Sequence, residues 1–254
     1  MNKFTIAVVV VLVLLFGGLV ASSFMKKTEQ SIDYSQYNSA KIIAGDENNG
    51  NISEHVRGKK DSEIVFVEYA DLQCPGCASV MPRISEITKA YGDRVAFVFR
   101  NFPISGHQNA RAASAAVESA GFQGYFWEML ETMYSNRASW IQETGNTRTQ
   151  TFADLFKEIA PDGDIEKFKT DLTDPSIEKK INFDYSLGIK NDNVSGTPAL
   201  YVNGKAIDVA KYETQDDLRA AIEETLDNAL REAGMETGGH YDFLNEDDTE
   251  VTTE

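Results

Sequence analysis

The sequence has very little cysteine, histidine and tryptophan, and it is short of positive charge. Its 254 residues include two cysteines, three histidines and two tryptophans, and 24 Lys and Arg face 40 Asp and Glu, for a net charge of −16. The lack of basic side chains argues against a nucleic-acid partner, because phosphate binding needs clustered Lys and Arg. With only two cysteines, the sequence also offers no structural disulfide that would indicate in which cellular compartment the protein lies.

The two cysteines, Cys74 and Cys77, are separated by two residues, which leaves several roles open for them. A structural zinc site needs four ligands, and one C-x-x-C pair supplies only two. A structural bridge across so short a loop removes only about 2 kcal/mol of chain entropy. Inert buried thiols and redox exchange complete the alternatives. The other metal ligands would have to come from carboxylates or from three histidines that are not at ligand spacing from one another: His55, His107 and His240.

Both ends of the chain differ in composition from the middle. Residues 4–25 carry no charge. At 1.5 Å per residue they can cross a ~30 Å hydrocarbon layer. We therefore predict one transmembrane anchor in residues 1–25; the alternative is a cleaved secretory signal. Residues 26–51 are polar and predict a tether, whereas residues 235–254 hold seven acidic side chains without Lys or Arg and predict a disordered tail.

The middle of the chain begins with a strand–helix–strand pattern. Residues 63–70, EIVFVEYA, form an apolar run typical of a buried strand. Apolar residues then recur at helical spacing from Cys74 to Tyr91, and residues 94–102 resemble a second strand. A helix between two such strands predicts a parallel βαβ unit.

A long helical pattern interrupts this α/β arrangement at about residues 105–190. Residues 197–207 then predict two short strands around an Asn203-Gly204 hairpin turn. The last helix is expected to start at Thr214, whose side chain suits an N-cap. We interpret residues 52–234 as one α/β domain with a helical insert.

The position of the cysteine motif favours redox exchange over the other roles. It follows a buried strand and opens a helix, where free N–H groups and the helix dipole stabilise a thiolate at Cys74. Cys77 lies one turn further along and is suited to react second. Pro75 fits the first helical turn, and Gly76 permits close approach of another backbone. A C-x-x-C motif in a βαβ context therefore predicts a dithiol–disulfide centre without metal or organic cofactor.

Three stretches together resemble the DsbA-like branch of the thioredoxin superfamily: VEYADLQCPGC, the helical insert and SGTPALYVNG. The resemblance covers about residues 52–233. It implies a thioredoxin-like fold with an inserted helical domain, an exposed attacking Cys74 and a resolving Cys77. It also implies a cis Thr197–Pro198 peptide that faces the cysteines and binds substrate backbone, with Pro75 and Gly76 beside it.

Glu68 lies in the predicted strand, six residues before Cys74. One interpretation is an outward-facing carboxylate on an alternating strand. The other is a partly buried acid that carries the proton of Cys77, and the resemblance favours it because the family places an acid here. Burial would raise the pKa of this carboxyl towards the working range.

The motif also departs from the strongest oxidants of the family, which carry a histidine between the cysteines. Gly76 stands at that place, so a donor that would stabilise the thiolate is missing. A more stable thiolate makes a dithiol centre more oxidising. We therefore expect a weaker oxidant than those members.

Together these features predict a membrane-anchored thiol–disulfide oxidoreductase whose catalytic domain lies outside the cytoplasm, in the periplasm or at the cell surface. Its partners would be exported proteins that need disulfides and a membrane-bound or soluble redox partner that restores the Cys74–Cys77 disulfide. One alternative is a reductase or isomerase kept reduced by an electron donor. Another is a peptide-binding chaperone that needs no cysteine chemistry.

Overall fold

In a computed structural model of the chain, which describes residues 31–241, five strands form one mixed sheet. The strand before the cysteine motif, β2, lies in the centre, and all six of its residues are buried. The strand order is β1-β3-β2-β4-β5, with β2 and β3 parallel and the other neighbours antiparallel. The strands are Val56–Gly58 (β1), Val65–Ala70 (β2), Ala96–Asn101 (β3), Ala199–Val202 (β4) and Lys205–Ile207 (β5).

Eight helices surround the sheet in the part of the chain that the structure describes. The first connects the parallel strands β2 and β3, which confirms the predicted βαβ unit, and the next six form the predicted helical insert between β3 and β4. Their bounds are Pro75–Tyr91 (α1), Ala110–Gly121 (α2), Phe126–Ser135 (α3), Arg137–Trp140 (α4), Gly145–Ile159 (α5), Ile165–Asp171 (α6), Pro175–Lys190 (α7) and Gln215–Glu232 (α8).

Side chains of β2 alternate between the two faces of the sheet, as strand geometry requires. Phe66 and Ala70 face the side on which α1, α8 and much of the insert pack. Val65, Val67 and Tyr69 face the other side, where α7 and the segment before β1 close the core. The cysteine motif therefore lies where the first of these cores meets the helical insert.

The predicted hairpin and final helix are present. Asn203 and Gly204 both have positive φ, at 46° and 77°, as the tight turn between β4 and β5 requires. Thr214 caps α8 by accepting a hydrogen bond from the backbone N–H of Asp217 at 3.1 Å. These local signals are carried by residue type, which is why they can be predicted from sequence.

Residues 34–51, which are part of the predicted tether, pack against the domain. The tether prediction is therefore wrong for this segment. Tyr34 is buried and its ring lies 5.6 Å from that of Phe183 on α7. Asn191 donates hydrogen bonds to the carbonyl oxygens of Tyr34 and Tyr37, at 2.9 and 3.0 Å. The polar composition of this segment does not predict these contacts, because the residues that it contacts lie about 150 positions further along the chain.

The start of the predicted tail is likewise ordered against the domain. Arg94 donates hydrogen bonds to the carbonyl oxygens of Glu236 and Gly238, each at 2.8 Å. The N–H of His240 donates to the carbonyl of Ala90 at 2.8 Å. The disorder prediction is therefore wrong for residues 235–241, because these contacts are backbone bonds that composition does not report.

The remaining terminal predictions fall outside the described residues: the membrane segment 1–25, residues 26–30 of the tether and residues 242–254 of the tail. Within residues 31–241 no helix is long and apolar enough to cross a membrane.

Candidate active site

The cysteine motif forms the start of α1, directly behind the carboxyl end of β2. Cys74 is the N-cap residue, with extended backbone angles of φ −66° and ψ 125°. Its carbonyl accepts the first helical hydrogen bond, from the N–H of Ala78 at 3.1 Å. Both cysteines are free thiols in the structure.

The two thiols differ in accessibility. Cys74 is 7% exposed and Cys77 is 0% exposed. The expectation of an exposed Cys74 is therefore wrong, because Cys74 is buried like Cys77; its role as the attacking cysteine stays a prediction. The reason for this burial is the loop before β4, whose Thr197 carbonyl oxygen lies 3.5 Å from the Cys74 sulfur.

The two thiols also differ in acidity. Hydrogen bonds from the Cys77 thiol and from the backbone N–H groups at the start of α1 outweigh burial and lower the pKa of Cys74 to about 5. Burial raises the pKa of Cys77 well above its ordinary value, and the charges of Cys74 and Glu68 act in the same direction. One sulfur is therefore a thiolate at neutral pH while the other keeps its proton.

The pH dependence of alkylation tests this difference. We expect the rate at which iodoacetamide modifies the reduced chain to reach half its maximum near pH 5, with Cys77 unmodified at that pH. Peptide mapping identifies the modified cysteine. The control is the unfolded chain, where both cysteines should titrate near their reference pKa of about 8.5. A midpoint above pH 7 for folded Cys74 would contradict the proposed stabilisation.

The loop before β4 brings the predicted substrate-binding residues to the motif. The Thr197–Pro198 peptide bond is cis, as the resemblance implies. A Cβ atom on Gly76 would lie 3.4 Å from Pro198 Cδ and 3.6 Å from Cys74 Sγ, so glycine leaves space between the two backbones. Pro75 is exposed as the first residue of α1.

An open groove extends from this loop along the edge of the domain. Its volume is about 530 Å³, and it is bounded by residues 193–201 on one side and residues 206–210 on the other. A groove beside an unpaired stretch of backbone suits an extended peptide, which binds through main-chain hydrogen bonds.

Glu68 is buried, so the interpretation of an outward-facing carboxylate is wrong. It is 4% exposed, and burial raises the pKa of its carboxyl to about 8. Strand alternation places it with Phe66 and Ala70 on the side of the sheet that α1 covers. Its Oε1 atom has no hydrogen-bond partner among the described residues. Its role as the proton carrier for Cys77 remains a prediction, and its burial supports it.

Asp71 belongs to the site although the sequence pattern did not single it out. It is fully buried between β2 and the motif, and its carboxylate accepts hydrogen bonds from the N–H groups of Gln73 and Ile104, at 2.7 and 2.8 Å. The Nδ1 atom of His107 lies 2.7 Å from the same carboxylate. An acidic residue directly after a buried strand was the available signal for this position.

The helical insert holds the residue that precedes Cys74. Arg137 donates two hydrogen bonds to the carbonyl oxygen of Gln73, at 2.9 and 2.5 Å. The Gln73 side chain accepts a hydrogen bond from the N–H of Asn109 at 2.7 Å. The approach to the motif is therefore fixed from two elements of the insert, and no local sequence signal indicates these contacts.

The zinc alternative finds no additional ligands in the part of the chain that the structure covers. No group of three or more His, Cys, Asp or Glu side chains lies together there at a distance suited to a metal ion. The Nε2 atom of His55 instead lies 2.9 Å from the buried carboxylate of Glu118, and its ring stacks on Phe126.

Solved structures share this architecture. BdbD from Bacillus subtilis, in its oxidised form, is 25% identical, with a TM-score of 0.57, over 75% of this chain and 99% of that one. The thiol-disulfide exchange protein α-DsbA2 from Wolbachia pipientis is 21% identical, with a TM-score of 0.55, over 68% and 87%. A thioredoxin-like oxidoreductase from Silicibacter pomeroyi is 21% identical, with a TM-score of 0.53, over 72% and 98%.

Curated relatives match through one part of much longer proteins. The Na(+)/H(+) antiporter NhaA 1 of Mycolicibacterium gilvum is 32% identical over 156 residues, which are 60% of this chain and 24% of the antiporter. The corresponding antiporter of Salinispora arenicola is 31% identical over 153 residues, 60% of this chain and 22% of its own length. The chain thus spans less than a quarter of these relatives. The thioredoxin family model matches residues 50–224.

Proposed function

The chain belongs to the thioredoxin family, within its DsbA-like thiol–disulfide oxidoreductases, and we propose that it forms disulfides in exported proteins outside the cytoplasm. The observation that carries the proposal is the difference in burial and in pKa between the two thiols. Cys74 keeps a small exposed surface and is acidic, whereas Cys77 is fully buried and protonated, and the charge of the buried Glu68 carboxyl group acts on it.

The reaction begins with the disulfide form of the motif. A substrate thiolate attacks the Cys74 sulfur, a mixed disulfide forms, and the Cys74–Cys77 bond breaks with its electron pair going to Cys77. Cys77 then takes up a proton. The second substrate thiolate attacks the substrate sulfur of the mixed disulfide, so that the substrate is oxidised by two electrons and Cys74 leaves as a thiolate. The low pKa of Cys74 favours this last step, because a more stable thiolate is a better leaving group.

The surroundings of the motif supply binding and proton transfer. Thr197 and Pro198 hold the substrate backbone extended beside Cys74, with Pro75 and Gly76 next to them. Glu68, protonated at neutral pH because its pKa is raised to about 8, gives its proton to the Cys77 thiolate. No metal or organic cofactor enters these steps.

Turnover requires a second protein, which reoxidises the Cys74–Cys77 pair by accepting two electrons. We propose that residues 1–25 anchor the domain to the membrane with its active site outside the cytoplasm. The apolar N-terminal segment and the family support this placement.

The redox state of the motif in native cells tests the direction of the reaction. Cells are quenched with acid, free thiols are labelled with a bulky alkylating reagent, and the shift is read on a gel. For an oxidase we expect mostly the Cys74–Cys77 disulfide, because its partner keeps the pair oxidised. The purified disulfide form should also oxidise a reduced two-cysteine test protein in one turnover.

A mostly reduced pair in native cells would contradict the oxidase assignment and support a reductase or isomerase. Topology mapping of the N-terminal segment is the control, because a cytoplasmic active site would be reduced for a different reason.

A further inference from the structure

The side chain of Tyr134 has a buried hydroxyl group that the reaction described above does not use. Tyr134 lies on α3 in the helical insert and is 7% exposed. Its hydroxyl oxygen is buried and has no hydrogen-bond partner within residues 31–241. A buried hydroxyl without a partner is destabilising, so a native structure that keeps one needs a reason for it.

Tyr134 lies in the same buried cluster as the reacting thiols. Its side chain packs in the core that includes Cys74, Cys77, Ala70 and Met81. It also lines a cavity of about 260 Å³ between α1 and α3, which Ala78, the residue after Cys77, borders as well. The helical insert thus places a phenol next to the turn that carries the resolving cysteine.

A second buried polar atom without a partner lies on the same side of the sheet. Glu68 points from β2 toward the region under α1, and its Oε1 atom has no partner among the described residues. Burial, and after it the charges of Cys77, Glu68, Asp71 and Cys74, raise the pKa of Tyr134 well above the ordinary value and keep its hydroxyl in the protonated, hydrogen-donating form. A buried donor on α3 and a buried acceptor on β2 therefore both lie near enough to Cys77 for the charges of these groups to influence one another.

We propose that Tyr134 is a positioning residue for proton transfer at Cys77. Its hydroxyl donates a hydrogen bond to the Glu68 carboxylate through one water, and so stabilises the carboxylate that receives the Cys77 proton. The proposal rests on the proposed thiol–disulfide exchange and adds a residue from the helical insert to it.

The step concerned is the attack of Cys77 on a mixed disulfide at Cys74. The Cys77 thiol passes its proton to the Glu68 carboxylate, and the resulting thiolate attacks the Cys74 sulfur. The Cys74–Cys77 bond forms, and the bond from Cys74 to the bound thiol breaks. That thiol leaves with the electron pair, so the chain is oxidised by two electrons.

Other ionisable groups near Tyr134 are bound to partners of their own. On the side of the motif, the Asp71 carboxylate is held by two N–H groups and His107. On its own helix, Glu131 lines the same cavity and pairs with Arg57 from β1. Glu68 is therefore the acceptor without a partner among the carboxylates that face this cluster.

The test uses the reduced full chain and 5,5′-dithiobis(2-nitrobenzoate) in a stopped-flow spectrophotometer. Cys74 releases the first thionitrobenzoate and forms a mixed disulfide; Cys77 then releases the second. For Tyr134→Phe we expect an unchanged first release and a second release about tenfold slower at pH 7, because one hydrogen bond to a charged group is lost. The pH profile of the second release should move up by about one unit.

Two variants control this result. Tyr185→Phe removes a hydroxyl on α7, on the opposite face of the sheet, and should change neither release. In a Glu68→Gln background, Tyr134→Phe should have no further effect, because the group through which it acts is gone. An unchanged second release, an equal slowing of both releases, or a full effect without Glu68 would each overturn the proposal.

If Tyr134→Phe does not fold, a measurement on the unmutated chain tests the proposal instead. With 13Cζ-labelled tyrosine, the Tyr134 resonance should shift as Glu68 titrates, with a midpoint near pH 8, and this shift should vanish in Glu68→Gln. A resonance that stays constant from pH 6 to 10 would overturn the proposal. If the chain releases the first thionitrobenzoate rapidly but does not oxidise a reduced test protein, the proposed oxidase function is contradicted. The effect of Tyr134→Phe on the second release can still be measured in that case.

Discussion

Replacing Cys74 with serine is expected to reduce the oxidation of a reduced test protein to the uncatalysed rate. Serine keeps the size of the side chain but cannot form a disulfide, so no sulfur is present for a substrate thiolate to attack. The disulfide form itself cannot be prepared in this variant. The measurement is the loss of free thiols in the test protein over time, with equal amounts of wild-type and variant chain.

Cys77→Ser is the matched control for this prediction, because it removes the other sulfur of the same motif. Cys74 remains, and its thiolate can attack a disulfide of an oxidised test protein, which forms a mixed disulfide and frees one substrate thiolate; without the Cys77 thiol the mixed disulfide cannot be resolved from within. We expect this variant to accumulate a covalent complex that a reducing agent dissolves, whereas Cys74→Ser should form none. Undiminished oxidation by Cys74→Ser would refute the enzymatic assignment. Full protection of a substrate from aggregation by that variant would support the chaperone alternative.

Arg100 lies on β3 and contacts the segment that precedes β1. Among single substitutions in that segment and in the residues that contact it, Arg100→Met is expected to cause the largest loss of folding stability. The guanidinium group of Arg100 is fully buried and donates to Glu54 at 2.6 Å and to the carbonyl oxygens of Ser39 and Lys41, at 2.8 and 3.1 Å. Tyr69 accepts a further bond at 3.0 Å. The variant would leave the Glu54 carboxylate buried and unpaired.

We expect Arg100→Met to lower the free energy of unfolding by about 3–5 kcal/mol, the range for a broken buried ion pair. This corresponds to a Tm lower by about 6–20 °C for a domain of this size. Urea unfolding of the full chain, followed by circular dichroism, measures the difference. The physical reason is desolvation, since the carboxylate keeps its burial and loses its counter-charge.

A double variant and a surface variant separate charge from packing. Arg100→Met with Glu54→Gln should regain part of the lost stability, because the fully buried Glu54 carboxylate is no longer left without its counter-charge. Lys205→Met removes one side of an ion pair that is 75% and 71% exposed, at 3.8 Å from Glu232, and should cost about 0.5 kcal/mol or less. If Arg100→Met costs less than the surface variant, the buried network does not hold the N-terminal segment in place.

The central elements of the fold were predictable because their signals are local. The apolar run of residues 63–70, the helix that follows Cys74 and the Asn203-Gly204 turn all correspond to observed elements. Periodicity, turn chemistry and capping depend on residues close in the chain, so one sequence reports them. Only the ends of the strands differ, by one or two residues.

The predictions that failed concern segments whose structure depends on distant partners. Residues 34–51 and 235–241 have the composition of a tether and a tail. Yet the first segment is held by Arg100 and by Asn191, and the second by Arg94. A polar chain becomes ordered when its backbone groups find fixed donors and acceptors, and composition does not show where those lie.

The sequence by itself determined the chemistry of this protein: two cysteines in a C-x-x-C motif, between a strand and a helix, with a Thr-Pro pair downstream. The position of the motif at a helix start also predicted which sulfur is the thiolate, whereas tertiary structure alone decided how far the two sulfurs differ in burial and acidity. The helix start and Thr197 surround Cys74, while burial beside Glu68 keeps the proton on Cys77. Acidity depends on solvent exposure and on hydrogen-bond donors brought from remote parts of the chain, which residue types and spacing do not record.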